Sequence, residues 1–69
     1  MVYSLEGKEF IPLCDLLKRI GFCESGGFAK LVIANGEVLV DGKIELRKRY
    51  KTRPGQTVEF NGESVKIES

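Results

Sequence analysis

The stretch SGGFAKLVIANGEVLVDG, residues 25–42, decides the fold because its hydrophobic period changes halfway along. Its first half carries apolar side chains at helical spacing, and Ser25 is placed to cap that helix by accepting a hydrogen bond from an amide one turn later. Asn35-Gly36 is a common helix end. After it, residues 37–40 have the period of a strand, and Asp41-Gly42 predicts a tight hairpin turn.

A first helix is predicted over residues 12–20, shortly before this stretch. Its apolar residues recur at i, i+3, i+4 and i+7, which places them on one helix face: Leu13, Leu16, Leu17 and Ile20. Pro12 suits a first turn because its missing N–H would have no helical partner there, and Gly21 ends the helix. Two short helices joined by a few residues form a pair of the helix-turn-helix type.

Strands are predicted for most of the remaining chain. They fall at residues 2–5, 43–46, 57–60 and 64–67. Pro54-Gly55 favours a type II turn, and Asn61-Gly62 favours a second hairpin. Residues 47–53 alternate only weakly, so we predict a loop or an irregular edge there. The order of strand, helix, helix and further strands predicts a single α+β domain over residues 1–69.

Several function classes are excluded by what the 69 residues lack. No apolar run approaches the roughly 20 residues of a membrane helix, and no signal-peptide pattern is present, so we expect a cytoplasmic protein. There is no histidine, and two cysteines cannot complete the four ligands of a structural zinc site. We therefore predict no metal, no cofactor and free thiols at Cys14 and Cys23. The acidic residues are scattered, which argues against an enzyme.

Charge is distributed unevenly along a chain whose net charge is only +1. Residues 43–53, KIELRKRYKTR, hold six basic residues and one acidic residue, Glu45, and so carry +5 against −4 for the rest of the chain. A local cationic field of this kind steers anionic partners. Arginine, which can grip phosphate oxygens with two parallel hydrogen bonds, outnumbers lysine in residues 47–53. The alternatives are a solvated hairpin edge and, for Tyr50, either base stacking or core packing.

Gly26 and Gly27 stand at the predicted start of the second helix, although glycine lowers helix stability. The first amides of a helix lack intrahelical partners and attract anions, phosphate above all. Without a Cβ, both glycines would let a phosphate approach these amides closely, and Lys30 lies one turn further on. The alternative is that the glycines permit close packing against the first helix or a strand.

The motifs of these segments resemble those of the S4-type RNA-binding domain, and most of all its short stand-alone bacterial members, the YbcJ/YaaA-like group. The similarity covers about residues 11–60. Its most specific parts are SGGxAK at the start of the second helix and GxVxVDG leading into the hairpin. The resemblance implies the alpha-L fold, a helix pair packed on a small, bent, mostly antiparallel sheet. It also implies binding of structured RNA, with ribosomal or transfer RNA as the expected partner.

Family contacts are expected at the start of the second helix and in the basic hairpin. Together with the charged stretch, they give the predicted RNA-binding residues: Ser25, Gly26, Gly27, Lys30, Lys43, Arg47, Lys48, Arg49, Lys51 and Arg53. The broader family often has an arginine where this chain has Gly26. We expect a monomer without a small-molecule substrate. The alternative function is a protein-interaction adaptor that docks the basic hairpin on an acidic partner.

Overall fold

A computed structural model describes all residues from 1 to 69 and contains two helices and seven strands. The elements in chain order are β1 (Val2–Ser4), β2 (Ile11–Pro12), α1 (Leu13–Arg19), α2 (Gly26–Ala34), β3 (Val38–Val40), β4 (Lys43–Ile44), β5 (Lys51–Thr52), β6 (Thr57–Phe60) and β7 (Glu63–Glu68). The predicted α+β class with a helix pair on a small sheet is therefore confirmed.

Helix α2 forms as its sequence predicts. The hydroxyl of Ser25 accepts a hydrogen bond of 3.1 Å from the amide of Phe28, which satisfies one of the first amides of the helix. At the other end, the amide of Gly36 donates to the carbonyl of Ile33 at 3.0 Å while Gly36 adopts a positive φ of 77°. Only glycine takes that conformation readily, so the Asn35-Gly36 helix end is confirmed.

Helix α1 begins one residue later than predicted, at Leu13. Pro12 has an extended backbone, with ψ of 138°, because it pairs with Lys51 across a short second sheet. Its fixed φ suits a strand end as well as a first helical turn. The helix ends at Arg19, and Gly21 follows with a positive φ.

The main sheet has five strands in the order β1-β7-β6-β3-β4. β1 runs parallel to β7 and the other pairs are antiparallel, so the sheet is mixed. Asp41 and Gly42, with φ of 51° and 82°, connect β3 to β4. Two central residues with positive φ match the twist of a hairpin. Asn61 and Gly62 repeat this geometry between β6 and β7, so both predicted hairpins are confirmed.

The second sheet, β2 with β5, is the main departure from the sequence predictions. Its two registered pairs are Ile11 with Thr52 and Pro12 with Lys51. The sequence predicts a loop or an irregular edge at residues 47–53, because a two-residue strand is too short to show alternation; the structure places the short edge strand β5 there. Strand β4 is likewise shorter than the predicted strand at residues 43–46, because it ends at Ile44. The amide of Glu45 still donates to the carbonyl of Val38 in β3 at 3.0 Å.

One hydrophobic core joins the helices to the sheet. Its fully buried members include Leu13, Leu16 and Leu17 of α1 with Val38, Val58 and Ile67 of the sheet. Cys14 and Cys23 are free and both are buried, and burial together with the nearby Glu37 raises the pKa of the Cys23 thiol. Neither helix has the length and apolar character needed to cross a lipid bilayer.

Candidate nucleic-acid interface

The basic segment, residues 47–53, is fixed to the fold through its backbone. The amide of Leu13 donates to the carbonyl of Tyr50 at 2.9 Å, and the amide of Cys14 donates to the carbonyl of Lys48 at 3.1 Å. These are the first amides of α1, which have no partner within the helix. Together with the β2–β5 pairing, these bonds hold the backbone while the basic side chains stay exposed.

Four of the predicted cations surround one open cleft of about 510 Å³. Its lining consists of Arg47, Arg49, Lys51 and Arg53 around the ring of Tyr50. Lys43 lines an adjoining depression that shares Arg47 and Tyr50 with the cleft. Lys48 is exposed beside the cleft without lining it. The structure thus gathers most of the basic stretch on one surface. We call the cleft lined by Arg47, Arg49, Tyr50, Lys51 and Arg53 the cationic cleft.

Tyr50 connects the cationic cleft to the hydrophobic core. Its half-buried ring packs against the hydrophobic core, and the guanidinium of Arg47 lies 5.0 Å from its centroid. Its hydroxyl accepts a hydrogen bond of 2.7 Å from the side-chain amide of Gln56, whose oxygen accepts another of 2.8 Å from the backbone amide of Arg53. Core packing, one of the two roles that the sequence left open for Tyr50, is the role seen in the structure.

Phe10, which sequence reasoning missed, contacts two of the cations that line this cleft. The Lys51 ammonium lies 5.1 Å and the Arg53 guanidinium 5.6 Å from the centroid of its ring. Both distances fall within the range of cation–π attraction. Phe10 precedes the basic segment by about forty positions in the chain, and only the β2–β5 register brings them together. No signal short of that pairing could have identified it.

Glu45 neutralises one cation of the cleft. Its carboxylate accepts hydrogen bonds from Nε of Arg47 at 2.8 Å and from Nη2 at 3.0 Å. These bonds from Arg47 lower the pKa of Glu45, and the carboxylate in turn raises the pKa of Arg47. This is the one salt bridge in the chain. The remaining predicted cations therefore have no carboxylate partner.

The amides at the start of α2 are open. Neither Gly26 nor Gly27 donates its N–H to any acceptor in the chain. A Cβ built on Gly26 meets nothing within 4 Å, and one on Gly27 meets only the Ser25 hydroxyl, at 3.9 Å. Both have ordinary negative φ, so the backbone conformation does not require glycine. The alternative that these glycines permit close packing is wrong, because a Cβ at either position would have room.

The two halves of the predicted site are separate surface features. No residue from 25 to 30 lines the cationic cleft, which residues 47–53 form alone. Lys30 is exposed on α2 one turn beyond the open amides. The assignment of these residues to one RNA-binding surface stays a prediction.

Comparison with known proteins agrees with this architecture. A model of the S4 domain matches residues 3–68. YbcJ of Escherichia coli (strain K12) is 52% identical over 65 residues, which cover 94% of this chain and 93% of that protein. The small ribosomal subunit protein uS4 of Tropheryma whipplei (strain Twist) is 31% identical over 72 residues, covering 97% of this chain but 35% of uS4.

A solved structure supports the same assignment. The solution structure of YbcJ from E. coli, described as revealing an alpha-L motif involved in RNA binding, aligns with a TM-score of 0.77 at 50% identity. The alignment covers 99% of this chain and 86% of the YbcJ chain. The predicted resemblance and the predicted alpha-L fold are both confirmed. With its helix pair, its mixed sheet and a family match over nearly its whole length, this chain belongs to the S4 domain family.

Proposed function

We propose that this chain is a non-catalytic module that binds structured RNA, ribosomal or transfer RNA, through backbone phosphates. The observation that carries the proposal is the cationic cleft, in which Arg49, Lys51 and Arg53 stand exposed without a carboxylate partner. Support also comes from the relatives, since the motif in YbcJ is described as involved in RNA binding and uS4 is a ribosomal protein. Either RNA class would place the protein in the cytoplasm.

Phosphate recognition suits the chemistry of this surface. The planar guanidinium groups of Arg49 and Arg53 can each grip two phosphate oxygens, whereas Lys51 acts as a point charge. The deep, narrow major groove of A-form RNA is poorly accessible to side chains, so recognition runs through shape and backbone. The open amides of Gly26 and Gly27 would hold one more phosphate, with Lys30 nearby. No step of this process needs a catalytic group, a cofactor or a second protomer.

The number of available cations sets the expected salt dependence. Arg47 is held by Glu45, which leaves the other basic residues of the stretch and Lys30 to contact RNA. Neutralisation of about four to six phosphates would make the logarithm of affinity fall against the logarithm of salt with a slope of about −3 to −5. A slope near zero would argue against phosphate contacts.

The chain offers a matched pair of variants for the test. Lys48-Arg49 and Lys18-Arg19 are the same exposed dipeptide, one beside the cationic cleft and the other at the end of α1. Changing either pair to two glutamates alters net charge equally. We expect Lys48→Glu with Arg49→Glu to abolish retention of a labelled RNA stem-loop in a filter assay, and the α1 pair to retain binding. Equal losses of RNA binding in both double variants would show that binding depends on net charge alone, and would contradict a role for the cationic cleft.

A protein-interaction adaptor is the second candidate, favoured by one observation. Ile44 and Leu46 are 61% and 58% exposed directly before Arg47, an apolar edge beside a cationic surface. An acidic protein partner with apolar residues would fit such an edge. Nuclease treatment of a lysate separates the candidates, because RNA-mediated partners are released from the captured protein and direct protein partners are retained.

A further inference from the structure

The β2–β5 pairing places one aromatic ring against two cations. With Ile11 opposite Thr52 and Pro12 opposite Lys51, the antiparallel register brings Phe10 opposite Arg53. Ile11 and Thr52 are buried and face the core. Alternation along the strands then puts Phe10, Lys51 and Arg53 together on the outer face. The ring is half-buried, and both cations lie over it, at 5.1 and 5.6 Å from its centroid.

This arrangement addresses two difficulties of a cationic cleft. Neighbouring like charges repel each other, and long basic side chains lose rotamer freedom when a ligand fixes them. The negative face of an aromatic ring attracts cations and can hold them in place before a ligand arrives. Binding groups that are already ordered lose less entropy on binding, so preorganisation raises affinity without any new contact to the ligand.

We propose that Phe10 is a positioning residue of the RNA interface. Its ring holds the Lys51 and Arg53 side chains on the outer face of β5, in the conformation in which they bind phosphates. The inference rests on the proposed function. It extends the interface to the connection between β1 and β2, a segment far from the basic stretch in sequence. The ring acts through the two cations and makes no contact of its own with the ligand.

The first test compares Phe10→Leu with Phe10→Tyr. Leucine keeps an apolar side chain and removes the ring, whereas tyrosine keeps the ring face. Binding of a fluorescein-labelled RNA stem-loop is measured by anisotropy. We expect Phe10→Leu to bind about three- to tenfold more weakly and Phe10→Tyr to bind like the parent chain. Unchanged affinity in Phe10→Leu, or an equal loss in both variants, overturns the inference.

A second variant keeps the test decisive if Phe10→Leu unfolds. Chemical synthesis of the 69-residue chain allows pentafluorophenylalanine at position 10, which preserves the shape of the ring and reverses the charge of its face. We expect this variant to fold, to bind RNA more weakly, and to lose the upfield ring-current shifts of the Lys51 and Arg53 side-chain protons. Retained shifts and retained affinity would contradict the inference.

The same measurements separate this inference from the proposed function. If the parent chain itself fails to bind the RNA stem-loop, the proposed function fails. If the parent chain binds and the Phe10 variants bind equally well, only the role of Phe10 fails. The ring-current shifts are read in the free protein, so they test the geometry whether or not RNA binds.

Discussion

Replacing Gly26 with alanine should move stability and RNA binding in opposite directions. Gly26 is the first residue of α2, has ordinary helical φ, and has open space where a Cβ would lie. Nothing in the fold therefore requires glycine at this position. If the glycine is present to let a phosphate reach the amides, a methyl group should strengthen the helix and obstruct the ligand.

The stability gain follows from the backbone. Replacing glycine by alanine at a compatible site stabilises a protein by about 0.4–1 kcal/mol, mainly by restricting the unfolded chain. For a domain of this size, 1 kcal/mol corresponds to a rise of about 4–8 °C in Tm. Thermal unfolding followed by circular dichroism should therefore show Gly26→Ala melting about 2–8 °C above the parent chain.

The loss of binding is larger. A hydrogen bond to a charged group contributes about 1.5–3 kcal/mol, and the lower figure corresponds to about tenfold in affinity. We expect Gly26→Ala to bind an RNA stem-loop about tenfold more weakly, measured by fluorescence anisotropy at fixed salt. Because the variant is more stable than the parent, unfolding cannot explain weaker binding. A raised Tm with affinity unchanged within twofold would refute the phosphate role of the α2 amides.

Three further predictions follow from the pairing of Glu45 and the burial of Thr52. Glu45→Gln should free Arg47 and steepen the salt slope of RNA binding by about one; an unchanged slope in a salt titration would show that Arg47 makes no phosphate contact even when free. Because Arg47 lowers the pKa of Glu45 in the folded state, the pair stabilises the fold above the ordinary carboxyl pKa, and this contribution is lost as pH falls through the lowered value. Thermal melts across acid pH should show that loss in the parent chain and not in Glu45→Gln. The hydroxyl of Thr52 is buried without a partner, so Thr52→Val should stabilise the protein by about 1–2 kcal/mol, and a lower Tm would indicate an unseen hydrogen bond.

The elements with strong local signals were predictable from the sequence. The structure confirms the predicted cap at Ser25, the helix end at Gly36 and the two hairpins. Each of them depends on the conformational preference of one or two residues. The strand at residues 57–60 agrees with β6 as well. Each of these patterns lies within a few neighbouring residues, and the structure contains the element that each one predicts.

The parts that escaped prediction depend on pairing between distant residues. The β2–β5 ladder joins positions forty apart, and each strand has only two residues, so neither shows a period. That ladder alone brings Phe10 against Lys51 and Arg53, two of the cations that line the cleft. The Glu45–Arg47 bond was equally hidden, since an acid two residues from an arginine does not reveal which of several cations it holds. Residue types in the basic stretch were visible in sequence, but their division into paired and free cations was not.

We expect the open amides of α2 and the cationic cleft to bind one RNA together. The most direct measurement is a titration of isotope-labelled protein with an RNA stem-loop, followed by amide chemical shifts. We expect the amide signals of Gly26, Gly27 and residues 47–53 to shift together along one binding curve. Shifts confined to β1 and β7, or shifts in the α2 amides and the cleft that saturate at different RNA concentrations, would contradict it.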